Sequence, residues 1–163
     1  MAAVSSPNRR ARRGWRSPRN RLILARGSRY LGALAVLATG VAHIEQYAVD
    51  DYSTVPTIGT LFLLNFIASV VIAVGLIVPL GRIAGRYADL VRGVMAISGI
   101  GLGVLSLVAL FVSESSGLFG FVEHGYRMAI VVAIVVEAAA TVFLVAFLLA
   151  NGTGLRKIRR SSR

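Results

Sequence analysis

The sequence predicts an all-α membrane protein: a four-transmembrane-helix bundle with both termini in the cytoplasm and a disordered basic N-terminal tail. Of its 163 residues, 56% are hydrophobic, and the mean hydropathy is +0.73. Ordinary soluble domains average roughly 45–50% apolar residues even with glycine counted. The apolar residues fall in four runs, each close to the ~20 residues needed to cross the hydrocarbon core. The 18 Lys and Arg against 7 Asp and Glu give a formal net charge of +11, and these charges are segregated along the chain.

The N-terminal stretch, residues 1–29, contains nine arginines together with Pro7, Gly14 and Pro18. Dense like charge with Pro and Gly opposes a packed core, so we expect a disordered tail. Its arginines hold the start of the first span in the cytoplasm, and we expect them to contact anionic lipid headgroups. Nucleic acid is not favoured as a partner, because no aromatic-rich nucleic-acid-binding fold accompanies the charge.

The four spans are predicted at about residues 30–47, 57–80, 93–112 and 126–150, which form one membrane domain over residues 30–150. Pro56 suits the first turn of the second span, where its missing N–H costs nothing. The Asn-Gly-Thr-Gly sequence at 151–154 predicts the end of the fourth span. Residues 151–163 then form a basic cytoplasmic tail.

The charges of the connections agree with one orientation. The connection between the second and third spans carries Arg82, Arg86 and Arg92, which places it in the cytoplasm. The other two connections are acidic and lie outside. A rival hypothesis is a cleaved secretory signal, because basic residues precede an apolar run and small residues at 40–42. Against it, Thr39 and His43 continue at i, i+4 spacing across that point, as one helix face does.

A pattern at residues 43–65 resembles a known group of proteins. His43, Tyr47 and Tyr52 precede a Pro-Thr-Ile-Gly-x-Leu-Phe-Leu-Leu-Asn sequence that ends at Asn65. This pattern resembles that of small uncharacterised four-span membrane proteins of actinobacteria. The resemblance implies a four-helix fold and a plasma-membrane location, and it implies no activity.

Glu137 is the most informative single residue, because it lies near the middle of the fourth span. A carboxylate at the bilayer centre costs about 2.5–3.5 kcal/mol on insertion scales and usually faces the bundle interior. Counting ~1.5 Å per residue places it near the depth of Thr39 and deeper than Asn65. These three residues form a predicted intramembrane polar site. Glu137 serves there either as a protonated hydrogen-bonding link between helices or as a proton or cation site.

A second polar cluster is predicted at the outer surface of the bundle. The first outer turn contributes His43, Tyr47, Asp50 and Asp51, and the second contributes Glu123, His124 and Arg127. The cluster is interpreted as a hydrogen-bonded network that fixes the helix ends. A divalent metal held by the two histidines and carboxylates, and haem held by the two histidines, are the alternatives; no cofactor is predicted.

Signals for soluble enzymes are absent from the sequence, and no catalytic residues are predicted. There is no cysteine, which excludes disulfides and thiolate chemistry. The glycines at 99–103 lack the spacing of a dinucleotide-binding loop. Gly99 and Gly103 instead form a GxxxG pair, which lets another helix approach closely.

Three functions remain open. The first and favoured one is a structural or accessory membrane component, associating laterally with a second copy or a partner protein through Gly99 and Gly103. The second is a small proton- or cation-linked transporter that uses Glu137 and the His43 cluster. The third is a membrane oxidoreductase subunit that binds haem or a quinone.

Overall fold

The computed structural model describes residues 18–49, 52–120, 122 and 128–161. It contains four long helices: α1 (Pro18–Val49), α2 (Ile58–Ile77), α3 (Ala88–Ser115) and α4 (Met128–Ser161). Short helical segments, Tyr52–Thr54, Leu80–Ile83 and Gly85–Tyr87, lie in the connections. About 90% of the structure is helical, and the described residues form no strand.

Each long helix is long and apolar enough to cross a membrane, so the prediction of an all-α protein with four candidate spans is confirmed. The outward faces are apolar as well: Leu34, Val71, Leu105 and Val142 are all more than half exposed. A soluble domain rarely exposes a continuous apolar surface of this kind. A bilayer supplies the apolar surroundings that these side chains require.

The helices extend beyond the predicted spans at both ends of the chain. α1 begins at Pro18 rather than near residue 30, so residues 18–29 of the predicted tail are helical, and residues 1–17 lie outside the described residues. Proline suits a first helical turn, and the arginines and leucines that follow are good helix formers. α4 continues past Asn151 to Ser161, since a glycine inside a helix costs only about 1 kcal/mol.

The four helices are arranged as a square. α1 packs against α2 and α4, and α3 packs against the same two helices, so α1 and α3 lie diagonally. The N-terminal parts of α1 and α3 meet the C-terminal parts of α2 and α4 at one end, which we call the termini end. The opposite end, near the connections after α1 and α3, is the turn end.

The half of the bundle towards the termini end is closed by an apolar core. Leu144 and Leu76 are fully buried at its centre. The complete core cluster consists of Ala33, Val36, Ile72, Leu76, Ala96, Ala140, Leu144 and Phe147. Since it draws residues from all four helices, this core fixes their spacing, and most of the buried polar side chains lie in the other half.

Gly99 and Gly103 are buried against α4 of the same chain. A Cβ at Gly99 would lie 2.6 Å from Leu144 Cδ1, and one at Gly103 would lie 3.3 Å from the Glu137 carbonyl oxygen. The GxxxG pair therefore does serve close helix packing, but within one bundle. The expectation that it mediates lateral association is wrong, because α4 already occupies that face.

α1 approaches α2 closely at Gly40, where an added Cβ would lie 2.7 Å from Ser69 Cβ. The substitution Gly40→Ala therefore forces the two helices apart. We expect it to lower the free energy of unfolding by about 1–3 kcal/mol, the usual cost of overpacking, as measured by thermal unfolding in detergent. The control is Gly27→Ala, on the same helix with no atom within 4 Å of the added Cβ; it should leave stability unchanged or raise it. Equal destabilisation by both would contradict this packing.

Candidate functional site

The half of the bundle towards the turn end contains most of the buried polar side chains. Those at most 7% exposed are Thr39, His43, Gln46, Asn65, Ser69, Ser113 and Glu137. They come from all four helices. In a bilayer, buried polar groups of this kind need partners inside the protein, because the hydrocarbon supplies none.

Asn65 links α2 to α3. Its side-chain amide donates to Ser106 Oγ at 2.7 Å, and its carbonyl oxygen Oδ1 accepts from Ser69 Oγ at 3.2 Å. Ser69 lies one turn further along α2, so the i, i+4 pair presents two polar groups on one face. Both ends of the amide are thereby satisfied.

Ser106 extends the connection from α3 to α4. Its hydroxyl accepts the hydrogen bond from Asn65 and is also hydrogen-bonded to the Glu137 carboxyl. A hydroxyl carries one hydrogen and two lone pairs. Since Asn65 donates, the hydrogen of Ser106 is free to be donated to the carboxyl.

His43 brings α1 to the same carboxyl. Its Nδ1 lies 2.9 Å from the Thr39 carbonyl oxygen, and its Nε2 lies 3.7 Å from Glu137 Oε1. A carbonyl only accepts, so Nδ1 carries a hydrogen and the other ring nitrogen, Nε2, faces the carboxyl. The 3.7 Å separation is an electrostatic contact and is too long for a direct hydrogen bond.

We call His43, Glu137, Ser106, Asn65 and Ser69 the polar chain. Its links run from α2 through α3 to α4 and end on α1, so every span contributes at least one member. The two ionisable side chains, those of His43 and Glu137, lie at one end of the polar chain, and neutral amide and hydroxyl groups occupy the other end. The arrangement can hold a proton between His43 and Glu137 and fixes the carboxyl by a neighbouring hydroxyl.

A partly open cavity of about 120 Å³ lies beside the polar chain. A single water occupies roughly 10–15 Å³ on this measure, so the space admits a small organic molecule. Two aromatic rings form part of its wall: Phe62 stands edge-on to His43 with ring centroids 5.1 Å apart, and Tyr52 lies 4.9 Å from Phe62. The other lining residues are Gln46, Ile58, Leu61, Asn65, Ser106, Ala109, Leu110, Ser113, Leu118, Ile130, Ala133 and Glu137.

The three residues of the predicted intramembrane site, Glu137, Asn65 and Thr39, do not contact one another through their side chains as a single group. Asn65 reaches Glu137 through Ser106. The Thr39 hydroxyl instead donates to the Ala35 carbonyl of its own helix, and Thr39 serves the site through its backbone, which holds His43. Threonine can satisfy its hydroxyl in this way within a helix.

The predicted outer cluster is described only in part. His43 belongs to the polar chain, and Tyr47 lies half-buried on α1. The other predicted members, Asp50, Asp51, Glu123, His124 and Arg127, lie outside the described residues, so the cluster stays a prediction.

The surroundings of His43 are relevant to the two alternatives in which it binds a metal ion or haem. Within residues 18–49, 52–120, 122 and 128–161, no three His, Asp or Glu side chains come together as a metal-ligating group. The ring nitrogen of His43 that a metal or haem iron would need is Nε2, and it faces Glu137. A haem iron at Nε2 would require moving the carboxyl or the ring, whereas a single metal ion could use Nε2 and Oε1 together as two of its ligands.

Ser106, Ser69 and Phe62 were not predicted as site residues. Ser69 could have been found, because it follows Asn65 by four residues on a helix that is otherwise apolar after Thr60. Serines are common at helix–helix contacts in membranes, but Ser106 has no polar neighbour at helical spacing in its own span. Its role follows from the way α3 packs between α2 and α4.

No protein-family model, curated protein or solved structure matches this chain.

The Asn65–Ser106 hydrogen bond should appear as an energetic coupling between α2 and α3. In a double-mutant cycle of Asn65→Ala and Ser106→Ala, we expect a coupling energy of about 0.6–1.7 kcal/mol, the range for interhelical hydrogen bonds in membranes. The measurement is unfolding in mixed micelles. As a control, Asn65→Ala combined with Thr39→Val should be additive within about 0.5 kcal/mol, since the Thr39 hydroxyl bonds its own helix. Additivity of the first pair would show that the link contributes nothing.

Proposed function

We propose that this multi-pass membrane protein is a small proton-linked transporter of the plasma membrane that exchanges a proton for a small organic cation at Glu137. The single observation that carries the proposal is the position of the carboxyl. It lies between His43 and Ser106, and it lines a cavity whose walls are otherwise mainly apolar.

The first step concerns the proton. In one arrangement a neutral imidazole faces a carboxylic acid; in the other an imidazolium faces a carboxylate. Both have no net charge and hold the same single proton between the two side chains. If that proton leaves to water, the pair carries a negative charge, and an uncompensated buried charge is strongly unfavourable. A cation entering the cavity restores neutrality.

The second step concerns the class of solute. A metal cation requires several oxygen or nitrogen ligands in place of its water shell, whereas the cavity presents few polar atoms and much apolar surface. An organic ammonium ion suits it better, because alkyl groups contact the apolar wall and the charge lies near Glu137. The rings of Phe62 and Tyr52 add favourable cation–π faces.

The orientation is part of the proposal. The basic stretches at both ends of the chain and the arginines between α2 and α3 favour the cytoplasm, which places both termini inside and the turn end outside. The cavity then lies towards the outer surface. The resemblance to uncharacterised actinobacterial four-span proteins agrees with a plasma-membrane location and adds no activity.

The transporter is preferred to the accessory-component hypothesis for a structural reason. Gly99 and Gly103 do not offer a free surface for lateral association, because they contact α4 of the same chain. A link between helices alone also does not require a carboxyl, since a neutral amide or hydroxyl makes the same bonds at lower cost.

The proposed exchange predicts that cation binding releases a proton. Purified protein in weakly buffered detergent solution is titrated with tetraethylammonium, a cation of fixed charge, and the released protons are measured with a pH-sensitive dye. Wild type should release a proton for each cation bound. Glu137→Gln, which preserves the shape and the bond to Ser106, should abolish the release and weaken binding at least about tenfold, equivalent to ~1.4 kcal/mol.

The matched control is Glu45→Gln, since Glu45 is exposed on the same bundle and should leave both binding and release unchanged. Proteoliposomes then test transport: a proton gradient should drive tetraethylammonium accumulation with wild type and not with Glu137→Gln. Binding by the wild type without proton release would overturn the exchange. So would failure of the wild type to bind the cation.

The proposed orientation is testable because the chain has no cysteine, so an introduced one is the only site of labelling. Ser53→Cys and Gly81→Cys both fall at exposed positions in connections. A membrane-impermeant maleimide added to intact cells should label Cys at position 53 and not at position 81. Permeabilised cells should show both, which controls for reactivity. The reverse pattern would invert the topology.

A further inference from the structure

A second pocket, distinct from the cavity at Glu137, lies between all four helices at the termini end. Its volume is about 470 Å³. The N-terminal part of α1, the end of α2, the start of α3 and the C-terminal part of α4 all contribute. The lining residues are Leu22, Ala25, Arg26, Arg29, Tyr30, Ile77, Pro79, Asp89, Arg92, Phe147 and Asn151.

The pocket carries an excess of positive charge. Three arginines, Arg26, Arg29 and Arg92, line it against a single carboxylate, Asp89. That carboxylate accepts from Arg92 Nη1 at 3.1 Å, but its side chain is 63% exposed, so water screens much of its effect. Two of the three guanidinium charges have no carboxylate opposite them within the pocket lining.

Two buried donors in this pocket lack an acceptor. Nε of Arg29 and Nε of Arg92 are both buried and make no hydrogen bond within the described part of the chain. A buried donor left unpaired is costly and is rare in native structures. The Arg29 guanidinium also lies over the Tyr30 ring, 4.6 Å from its centroid, which restricts its orientation. The two arginines come from different helices, α1 and α3, and line the same space.

The donors define the ligand's charged part, and the walls define the rest. Planar guanidinium groups suit the oxygens of a phosphate, which accept several charge-assisted hydrogen bonds at once. Beside them stand Leu22 and Ile77, which are 61% and 42% exposed. A free phosphate ion would leave this apolar surface uncovered, whereas a phospholipid covers it with the first carbons of its acyl chains.

We propose that this pocket binds the headgroup of an anionic phospholipid, whose phosphate oxygens accept hydrogen bonds from Arg29 and Arg92. The pocket lies at the level where lipid headgroups meet a span, since it is bounded by the ends of α2 and the start of α3. Basic pockets between transmembrane helices are a recurrent form of lipid recognition. This site is separate from the attraction expected of the arginine-rich ends, because it uses two defined donors between helices.

The test is a binding series on the full-length protein in zwitterionic detergent, read by native mass spectrometry and by thermal unfolding. Dioleoylphosphatidylglycerol should bind in a stoichiometric complex and raise the unfolding temperature. Dioleoylphosphatidylcholine has the same phosphate and chains without net charge, and it should bind at least about tenfold more weakly. Inorganic phosphate should have little effect at the same concentration.

The variants separate the pocket from general electrostatic attraction. Arg29→Gln with Arg92→Gln should lose phosphatidylglycerol binding at least about tenfold, whereas Arg21→Gln with Arg82→Gln removes the same charge from exposed positions outside the pocket and should retain it. Arg29→Lys with Arg92→Lys keeps both charges but removes both Nε donors, and it should also lose most of the binding. If the glutamine pair fails to fold, the lysine pair still tests whether the two Nε donors are needed for binding.

Several results would overturn the proposal. Equal binding of phosphatidylcholine would mean that negative charge is not recognised. Equal stabilisation by inorganic phosphate would assign the pocket to a free anion. Equal losses in the pocket and control variants, or full retention by the lysine variant, would reduce the effect to non-specific charge.

Discussion

The structure depends on one constraint: a carboxyl in the middle of an apolar bundle needs polar partners that the bilayer cannot provide. Glu137 finds them in Ser106 and His43; Ser106 in turn accepts a hydrogen bond from Asn65, whose carbonyl oxygen accepts one from Ser69. Because these partners come from the other three helices, the constraint fixes the positions of all four.

The bundle divides into two halves with different properties. The half near the termini end is closed by side chains such as Leu76 and Leu144, which are fully buried, and by glycines that let the helices approach. The other half contains the polar chain and the cavity. In the proposed transporter, a solute at Glu137 would be separated from the termini end by the apolar core. The proposed transport would therefore require this core to open and Glu137 to exchange its proton from the other side.

The sequence was sufficient for the fold class, because four apolar runs and segregated charge determine the number of helices directly. It was less informative about helix ends, since the arginine-rich stretch after Pro18 forms helix despite its charge. Glu137 and Asn65 could be chosen from sequence as isolated polar residues in apolar spans. Ser106 could not, because a single serine in a span is common and only the packing of α3 brings it to Glu137. The partner of Gly99 and Gly103 was misjudged for the same reason: a GxxxG pair indicates close packing without identifying the helix that approaches.

His43 and Glu137 are direct neighbours across the α1–α4 contact, with Nε2 facing the carboxyl. Solid-state NMR in lipid bilayers tests this most directly, through the dipolar coupling between ¹⁵N-labelled histidine and the ¹³C-labelled side-chain carboxyl of glutamate. The chain has only two histidines, so in His124→Gln the only ¹⁵N-labelled histidine is His43. Adding Glu137→Gln shows whether the coupled carboxyl is that of Glu137. We expect a coupling from Nε2 that disappears in Glu137→Gln, consistent with the 3.7 Å separation of Nε2 and Oε1. If no coupling is observed, or if it persists in Glu137→Gln, the polar chain does not join α1 to α4 as described.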